Sequence, residues 1–275
     1  MNNYDNDDHI KNMQNPEANK YCPNGNPVLE FAGRQWWINY HWSPETGIYT
    51  DKNFDSIFDP NIIERTSDGV RLWIKPPGQY KNWQTSELVS VQKVAYGRHL
   101  VTARADGGSF SDLDPNAVFG VFTYQYSEAP PSQGRNIHRE IDMLEVLRGG
   151  SSNAQFTLQP FDPPPNPWYP FTLPNNTPVI TIVTDWHFDQ GNQLAATCAV
   201  FLGDYSLDTL PPMPKAYAVW SPNNHGFHDL IPQVTATSCA RIHINLWLMH
   251  GQPPSKPQSV TVTRVQYSPT VPTAG

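Results

Sequence analysis

Glu140, Asp142 and Glu145 place three carboxylates within six residues of the stretch His-Arg-Glu-Ile-Asp-Met-Leu-Glu-Val at 138–146, which otherwise reads as a β-strand. Side chains two apart on a strand share a face. His138, Glu140 and Asp142 are expected on one face, with Arg139, Ile141 and Met143 on the other. Strict alternation carries Leu144 to the acidic face and Glu145 to the apolar one. A lone carboxylate facing a core is costly, because the charge must leave water. One extra residue, a β-bulge at Met143–Leu144, removes the conflict and returns Glu145 to the acidic face. Carboxyl groups so placed suit glycoside hydrolysis. A retaining glycosidase needs a nucleophile and an acid/base with carboxyl groups roughly 5 Å apart. The middle acid repels both neighbours and can share a proton with one, which helps hold the two roles at different pKa values. For such a short motif in isolation, a solvated acidic strand face is the plainer alternative.

Strand signals with turn punctuation recur from residue 28 onward. The segment 31–40 is an aromatic-rich strand with Trp36 and Trp37 on opposite faces. Segments 62–65 and 70–75 flank Ser67-Asp68-Gly69 as a hairpin, and 85–92 and 97–105 follow as a second pair. The strand 118–125 leads through a proline-rich loop into the acidic strand, which 153–160 joins after a turn at 149–152. Further strands are expected at 179–186, 194–202, 216–220 and 260–267. The segment 161–178 holds seven prolines and cannot lie inside a sheet. Its Trp168 and Tyr169 suit a stiff rim over a cleft, or a plain surface loop. Many short strands and no long amphipathic helix point to a two-layer antiparallel β-sandwich. Residues 28–269 fit one domain, with 1–27 a flexible leader and 270–275 a tail.

The acidic stretch resembles the catalytic strand of glycoside hydrolase family 16, in the bulged form of laminarinases and agarases. Tyr96-Gly97-Arg98, the run Leu113-Asp114-Pro115-Asn116-Ala117-Val118-Phe119-Gly120, the run Asn153-Ala154-Gln155-Phe156-Thr157-Leu158-Gln159-Pro160 and Ile244-Asn245-Leu246-Trp247-Leu248 extend the resemblance over 28–269. The usual Trp-Pro-Ala-Phe-Trp approach is replaced by 117–124. The resemblance implies a β-jelly roll with a concave substrate cleft. It makes Glu140 the nucleophile, Asp142 the helper and Glu145 the acid/base. The substrate it implies is an internal β-linkage of a polysaccharide, a laminarin-type β-glucan first and a galactan such as agar next. A lectin-like binder of the same fold and a cell-wall transglycosylase are the alternatives. Some members carry a structural calcium, but no acidic loop here is distinctive enough to nominate for one, and no cofactor is expected.

Parity with Glu140 nominates the remaining substrate contacts. His138 lies two residues before it, although a structural histidine competes with that role. Asn153, Gln155, Thr157 and Gln159 form a polar row on the neighbouring strand, of which Gln155 and Gln159 are favoured. In 241–248, Ile242, Ile244, Leu246 and Leu248 share one face while His243, Asn245 and Trp247 share the other. Asn245 and Trp247 are nominated, with Tyr124 and Glu87 as weaker choices.

The chain has 275 residues, with 28 prolines, 17 glycines, nine tryptophans and a net charge of −7. This charge argues against a nucleic-acid partner, which should meet basic patches, and makes a strongly anionic polymer a less natural substrate. No run of about 18 apolar residues calls for a membrane span. The loop His225-Gly226-Phe227-His228-Asp229 offers two or three metal ligands without a partner cluster, so no metal is assigned. Of Cys22, Cys198 and Cys239, the last two are the more plausible disulfide pair, with free buried thiols the alternative. A polysaccharide hydrolase must meet its polymer, so secretion is expected, with the signal peptide removed; Asn175-Asn176-Thr177 is a glycosylation sequon in keeping with it. A monomer is expected.

Overall fold

The structure is a computed structural model that describes residues 28–39, 56–78, 82–126, 128–149, 151–161, 166–236, 238–249 and 252–269. The expected leader, its Cys22, the tail and Pro163-Pro164-Pro165 lie outside the described residues. Among the described residues sixteen strands, numbered in chain order, form two sheets. The nine-stranded sheet holds β1 (Val28–Phe31), β2 (Arg34–Ile38), β3 (Ser56–Phe58), β6 (Trp83–Lys93), β8 (Ala117–Tyr124), β9 (Ile141–Gly149), β10 (Ser152–Leu158), β11 (Trp168–Phe171) and β15 (Arg241–Leu248). Its order is β1-β2-β6-β15-β8-β9-β10-β11, with β3 added parallel to β6. The seven-stranded sheet takes β4 (Glu64–Arg65), β5 (Val70–Ile74), β7 (Gly97–Ala105), β12 (Val179–Phe188), β13 (Leu194–Leu202), β14 (Ala218–Trp220) and β16 (Gln258–Ser268) in the order β14-β13-β12-β7-β16-β5-β4. The architecture is an antiparallel β-sandwich of jelly-roll type, as expected.

Period-two burial builds the core between the sheets. Ile242, Ile244, Leu246 and Leu248 of β15 all point inward, as do Val70, Leu72 and Ile74 of β5 and Val260 and Val262 of β16. They meet Ile180, Ile182 and Trp186 of β12 and Cys198 and Val200 of β13 in one cluster. Each fully buried aliphatic side chain stabilises the fold by about 2 kcal/mol. The far face of the seven-stranded sheet is covered too. Leu100, Val183, Ala199 and Phe201 pack there under Tyr205, Leu207 and Leu210. That second cover explains why these strands read as continuous apolar runs. On the nine-stranded sheet, only the face turned away from the core is free to carry a site.

Four expectations change. The run 31–40 is a hairpin: Ala32 and Gly33, at φ 55° and 70°, turn β1 back onto β2 with Phe31 opposite Arg34, the positive-φ pair that tight hairpins favour. The segments 85–92 and 97–105 do not pair, because β6 lies in one sheet and β7 in the other. Both are apolar on the core side, so alternation alone does not say which sheet each joins. The acidic strand starts at Ile141, after a left-handed residue at Arg139. Cys198 and Cys239 are not bridged to each other. Cys198 is buried in β13, where burial pushes its pKa up to about 12. Cys239 lies outside any strand. Asp229, in the histidine loop, pairs with Arg135 at 3.2 Å. No helix among the described residues is long and apolar enough to cross a membrane.

Candidate active site

The bulge forms where the charge pattern calls for it. Phe122 faces Asp142 and Val121 faces Leu144, so Met143 is the inserted residue. On the other side, Gln155 faces Glu145 and Thr157 faces Asp142, two residues of β10 against three of β9. Met143 and Leu144 are both buried in the core, at 1% and 0% exposure. Glu145 returns to the outer face, where Gln155 Nε2 donates to its Oε2 at 2.8 Å. An unbulged continuation with the same residues would drive this carboxylate into the core at a cost of several kcal/mol.

Glu140 precedes the strand, and two side chains do the work of the missing ladder. Arg139 sits at φ 50°, a conformation non-glycine residues seldom adopt. Its guanidinium turns inward, donating to the Gln125 side-chain oxygen at 2.7 Å and the Gln233 carbonyl at 3.1 Å, and burial lowers its pKa. Thr123 Oγ1 donates to the Arg139 carbonyl at 2.7 Å and accepts the Ile141 N–H at 2.9 Å. Asn136 clasps Glu140 itself. Its Nδ2 donates to the Glu140 carbonyl at 2.7 Å and its Oδ1 accepts the Glu140 N–H at 2.8 Å. The backbone polar groups at this irregular turn are thereby paired.

The three acids feel one another. Burial raises Glu140 to about 7; a hydrogen bond with Asp142 lowers it, and the Glu145 charge raises it. Asp142 is raised well above the usual carboxylate range by burial first, then by the charges of Glu140 and Glu145. Gln159 Nε2, donating to Asp142 Oδ2 at 3.2 Å, works the other way. Glu140 and Asp142 hydrogen-bond to each other, so the two carboxyl groups share a proton. Burial also raises Glu145, against the hydrogen bond from Gln155.

Strand register lays the other nominated residues out in rows. Glu87, Asn245, Gly120, Glu145 and Gln155 succeed one another across β6, β15, β8, β9 and β10. The next row runs His243, Phe122, Asp142, Thr157 and Trp168. Glu87 is buried and pairs with His243 and Asn39. Asn245 lies over Gly120, where an added Cβ would come 2.6 Å from its Oδ1. Tyr124 stacks on His138, with ring centroids 5.0 Å apart, and His138 Nδ1 is 3.0 Å from the Gln125 carbonyl. Trp247, half-buried, lies opposite Val118 toward the far end of β15. Gln155 and Gln159, expected to face ligand, spend their amide donors on Glu145 and Asp142. Asn153 is drawn away from the acids and exchanges two hydrogen bonds with the Leu173 backbone. Asn136, Thr123, Gly120 and His243 were not nominated. Gly120 did carry a signal, because an isolated glycine in an apolar strand marks close approach. His243 shared the polar parity of Asn245. Nothing local marks Asn136, whose partner Glu140 is reached around a turn.

No family model matches the chain, and no curated protein matches it. Solved structures do. A β-glucanase of Bacillus licheniformis is 18% identical, with a TM-score of 0.56 over 90% of this chain and 95% of that one. A family 16 glycosyl hydrolase from Mycobacterium smegmatis is 12% identical, with a TM-score of 0.54 over 88% and 94%. A pseudo β-1,3-glucanase of Mycobacterium tuberculosis is 14% identical, with a TM-score of 0.54 over 85% and 91%. The chain therefore has the fold of the family 16 glycoside hydrolases, and its acidic strand lies in a β-sandwich of that kind.

Proposed function

We propose that this protein is a secreted, single-domain retaining endo-glycosidase that cuts internal β-linkages of a polysaccharide, with a laminarin-type β-glucan the first substrate to try. The observation that carries the reading is the bulged register, which returns Glu145 to the outer face that holds Asp142. Asp142, hydrogen-bonded to Glu140, is the helper, and Glu140 is the attacking carboxylate. Burial raises Glu145, in keeping with a role as the acid that protonates the leaving oxygen. Glu140 attacks the anomeric carbon while Glu145 protonates the departing oxygen. Water activated by Glu145 then releases the glycosyl-enzyme with retained configuration. Gln155, Gln159 and Asn136 hold the acids in place. The glucanase neighbours support a carbohydrate substrate. A monomer suffices for this chemistry, since all three acids lie within residues 140–145 of one chain.

Product release from laminarin, mixed-linkage glucan, agarose, carrageenan and xyloglucan tests the reading, with Glu140→Gln beside the native protein. Oligosaccharides from one polymer are expected, falling by roughly 10³-fold or more in the variant. A second reading, a sugar binder without turnover, draws on the neighbour described as a pseudo β-1,3-glucanase. Retention of a polymer on native protein that releases nothing from it would favour that binder and reject the hydrolase.

A further inference from the structure

Two buried polar atoms with no partner among the described residues sit two strands from the acids. His243 Nδ1 lies 3.1 Å from Glu87 Oε1, and Asn39 Nδ2 donates to Glu87 Oε2. A carboxylate only accepts, so Nδ1 carries the proton and the ring orientation is fixed. His243 is 2% exposed, and its Nε2 has no hydrogen-bond partner among the described residues. The ring stacks on Phe122 at 5.0 Å and meets the edges of Tyr126 at 5.5 Å and Tyr124 at 5.9 Å. On the same face, Asn245 Oδ1 is likewise buried and unpartnered. Ten buried side-chain atoms among the described residues lack a partner, and these two share the outer face of β15, two strands from the acids.

The chemistry of the two atoms narrows what completes them. A neutral imidazole Nε2 accepts and a charged one donates, while Asn245 Oδ1 only accepts. A sugar hydroxyl both donates and accepts, so it satisfies each atom in either state of the ring. A carboxylate or sulfate would serve only the charged imidazole, and would face Asn245 Oδ1 and Glu87 unfavourably. His243 and Asn245 are two residues apart on one strand, roughly 6.8 Å, a span that two hydroxyls of one pyranose ring can bridge. β15 stands two strands from β9, roughly 9.6 Å, so the unit read lies beside the scissile bond and not at it.

We propose that His243 is a specificity-determining residue of this face. Its Nε2 bonds a hydroxyl of the saccharide unit bound on the β15 side of the acids, while Glu87 and Asn39 hold the imidazole in place. This rests on the glycosidase reading and adds which atom reads the sugar. The test compares His243→Phe, which fills the space, with His243→Gln, whose amide nitrogen can occupy the place of Nε2. The probe is the polymer that native protein cuts in the five-polymer screen. His243→Phe is expected to raise KM about 10-fold or more, the loss of one hydrogen bond to a desolvated partner, with a smaller effect on kcat. His243→Gln is expected to recover most of it. A second measurement does not depend on the variants folding. In ¹⁵N-histidine-labelled Glu140→Gln protein, oligosaccharides of that polymer should shift the His243 Nε2 resonance and leave the Nδ1 proton in place. Unchanged KM in His243→Phe, or saturation by oligosaccharide with no shift at Nε2, would overturn this inference while the hydrolase stands. Native protein that neither cuts nor retains any polymer would overturn both.

Discussion

Deleting Met143 should leave a folded protein with its acids in place. The pairs Phe122–Asp142 and Val121–Leu144 flank the inserted residue, and Gly120–Glu145 follows. Without Met143 these become consecutive pairs of an ordinary ladder, and Gln155 still faces Glu145 across β10. The sequence then reads Glu-Ile-Asp-Leu-Glu, with all three acids on one face by simple alternation. The cost is the buried methionine side chain, 1% exposed. Losing such a side chain costs about 3 kcal/mol, and a regained ladder hydrogen bond offsets about 1 kcal/mol. The net loss of about 2 kcal/mol should lower Tm by roughly 4–8 °C. A small displacement of Glu145 against Glu140 should cost roughly 100-fold in turnover, well short of the loss in Glu140→Gln. The assay pairs a thermal melt with oligosaccharide release from the polymer found in the screen. Inserting an alanine after Leu144 is the contrast: it sends Glu145 toward the core and should abolish activity. A deletion variant that melts cooperatively in the stated range, yet is as inactive as Glu140→Gln, would refute the register argument.

The raised acids make stability depend on pH. Glu140 titrates at 4.5 when unfolded and at about 7 when folded, so the folded state binds more protons between those values. Its contribution is full below about 4.5 and is lost as pH rises through 7, so Tm should fall across that window, and less steeply in Glu140→Gln; equal slopes would mean Glu140 is not the source. Asn136→Ala leaves the Glu140 N–H and carbonyl without their clasp. It should cost about 1–3 kcal/mol of stability and lower kcat more than it raises KM. Kinetics unaltered by the change would make Asn136 a fold residue only. Gly120→Ala puts a methyl 2.6 Å from Asn245 Oδ1. The amide is the flexible end of a side chain, so Tm should move by only a few degrees while KM rises; unchanged KM would remove Asn245 from the binding surface.

The strand-borne half of the candidate site was legible because alternation reports faces directly. The parity of 241–248 placed Asn245 and Trp247 away from the core, and β15 buries its four aliphatics on the other side. The bulge was legible for a different reason: Glu145 could not be left in a core, so a charge in the wrong phase reported an extra residue. Arg139 defeated the same reasoning. Alternation put it on the apolar face of a strand, and it is buried on that side, but through a left-handed turn with its guanidinium on Gln125 and a carbonyl. Periodicity is a statement about repeated φ and ψ, and one residue outside the β region breaks the count without changing the pattern of letters. The strand partners of 85–92 and 97–105 failed for a further reason. A strand buried on its core side looks the same in either layer of a sandwich, and neighbours in sequence are only often neighbours in space. The residues that position the acids were the least visible. Asn136 and Thr123 act on backbone groups of Glu140, Arg139 and Ile141, and a hydrogen bond to a backbone leaves no mark on the residue type at its other end. Such groups are found by asking where each carbonyl and N–H around an irregular turn is satisfied. Asking the same of side-chain atoms leaves His243 Nε2 and Asn245 Oδ1 among those without an answer inside the described residues, and a sugar hydroxyl supplies one for both.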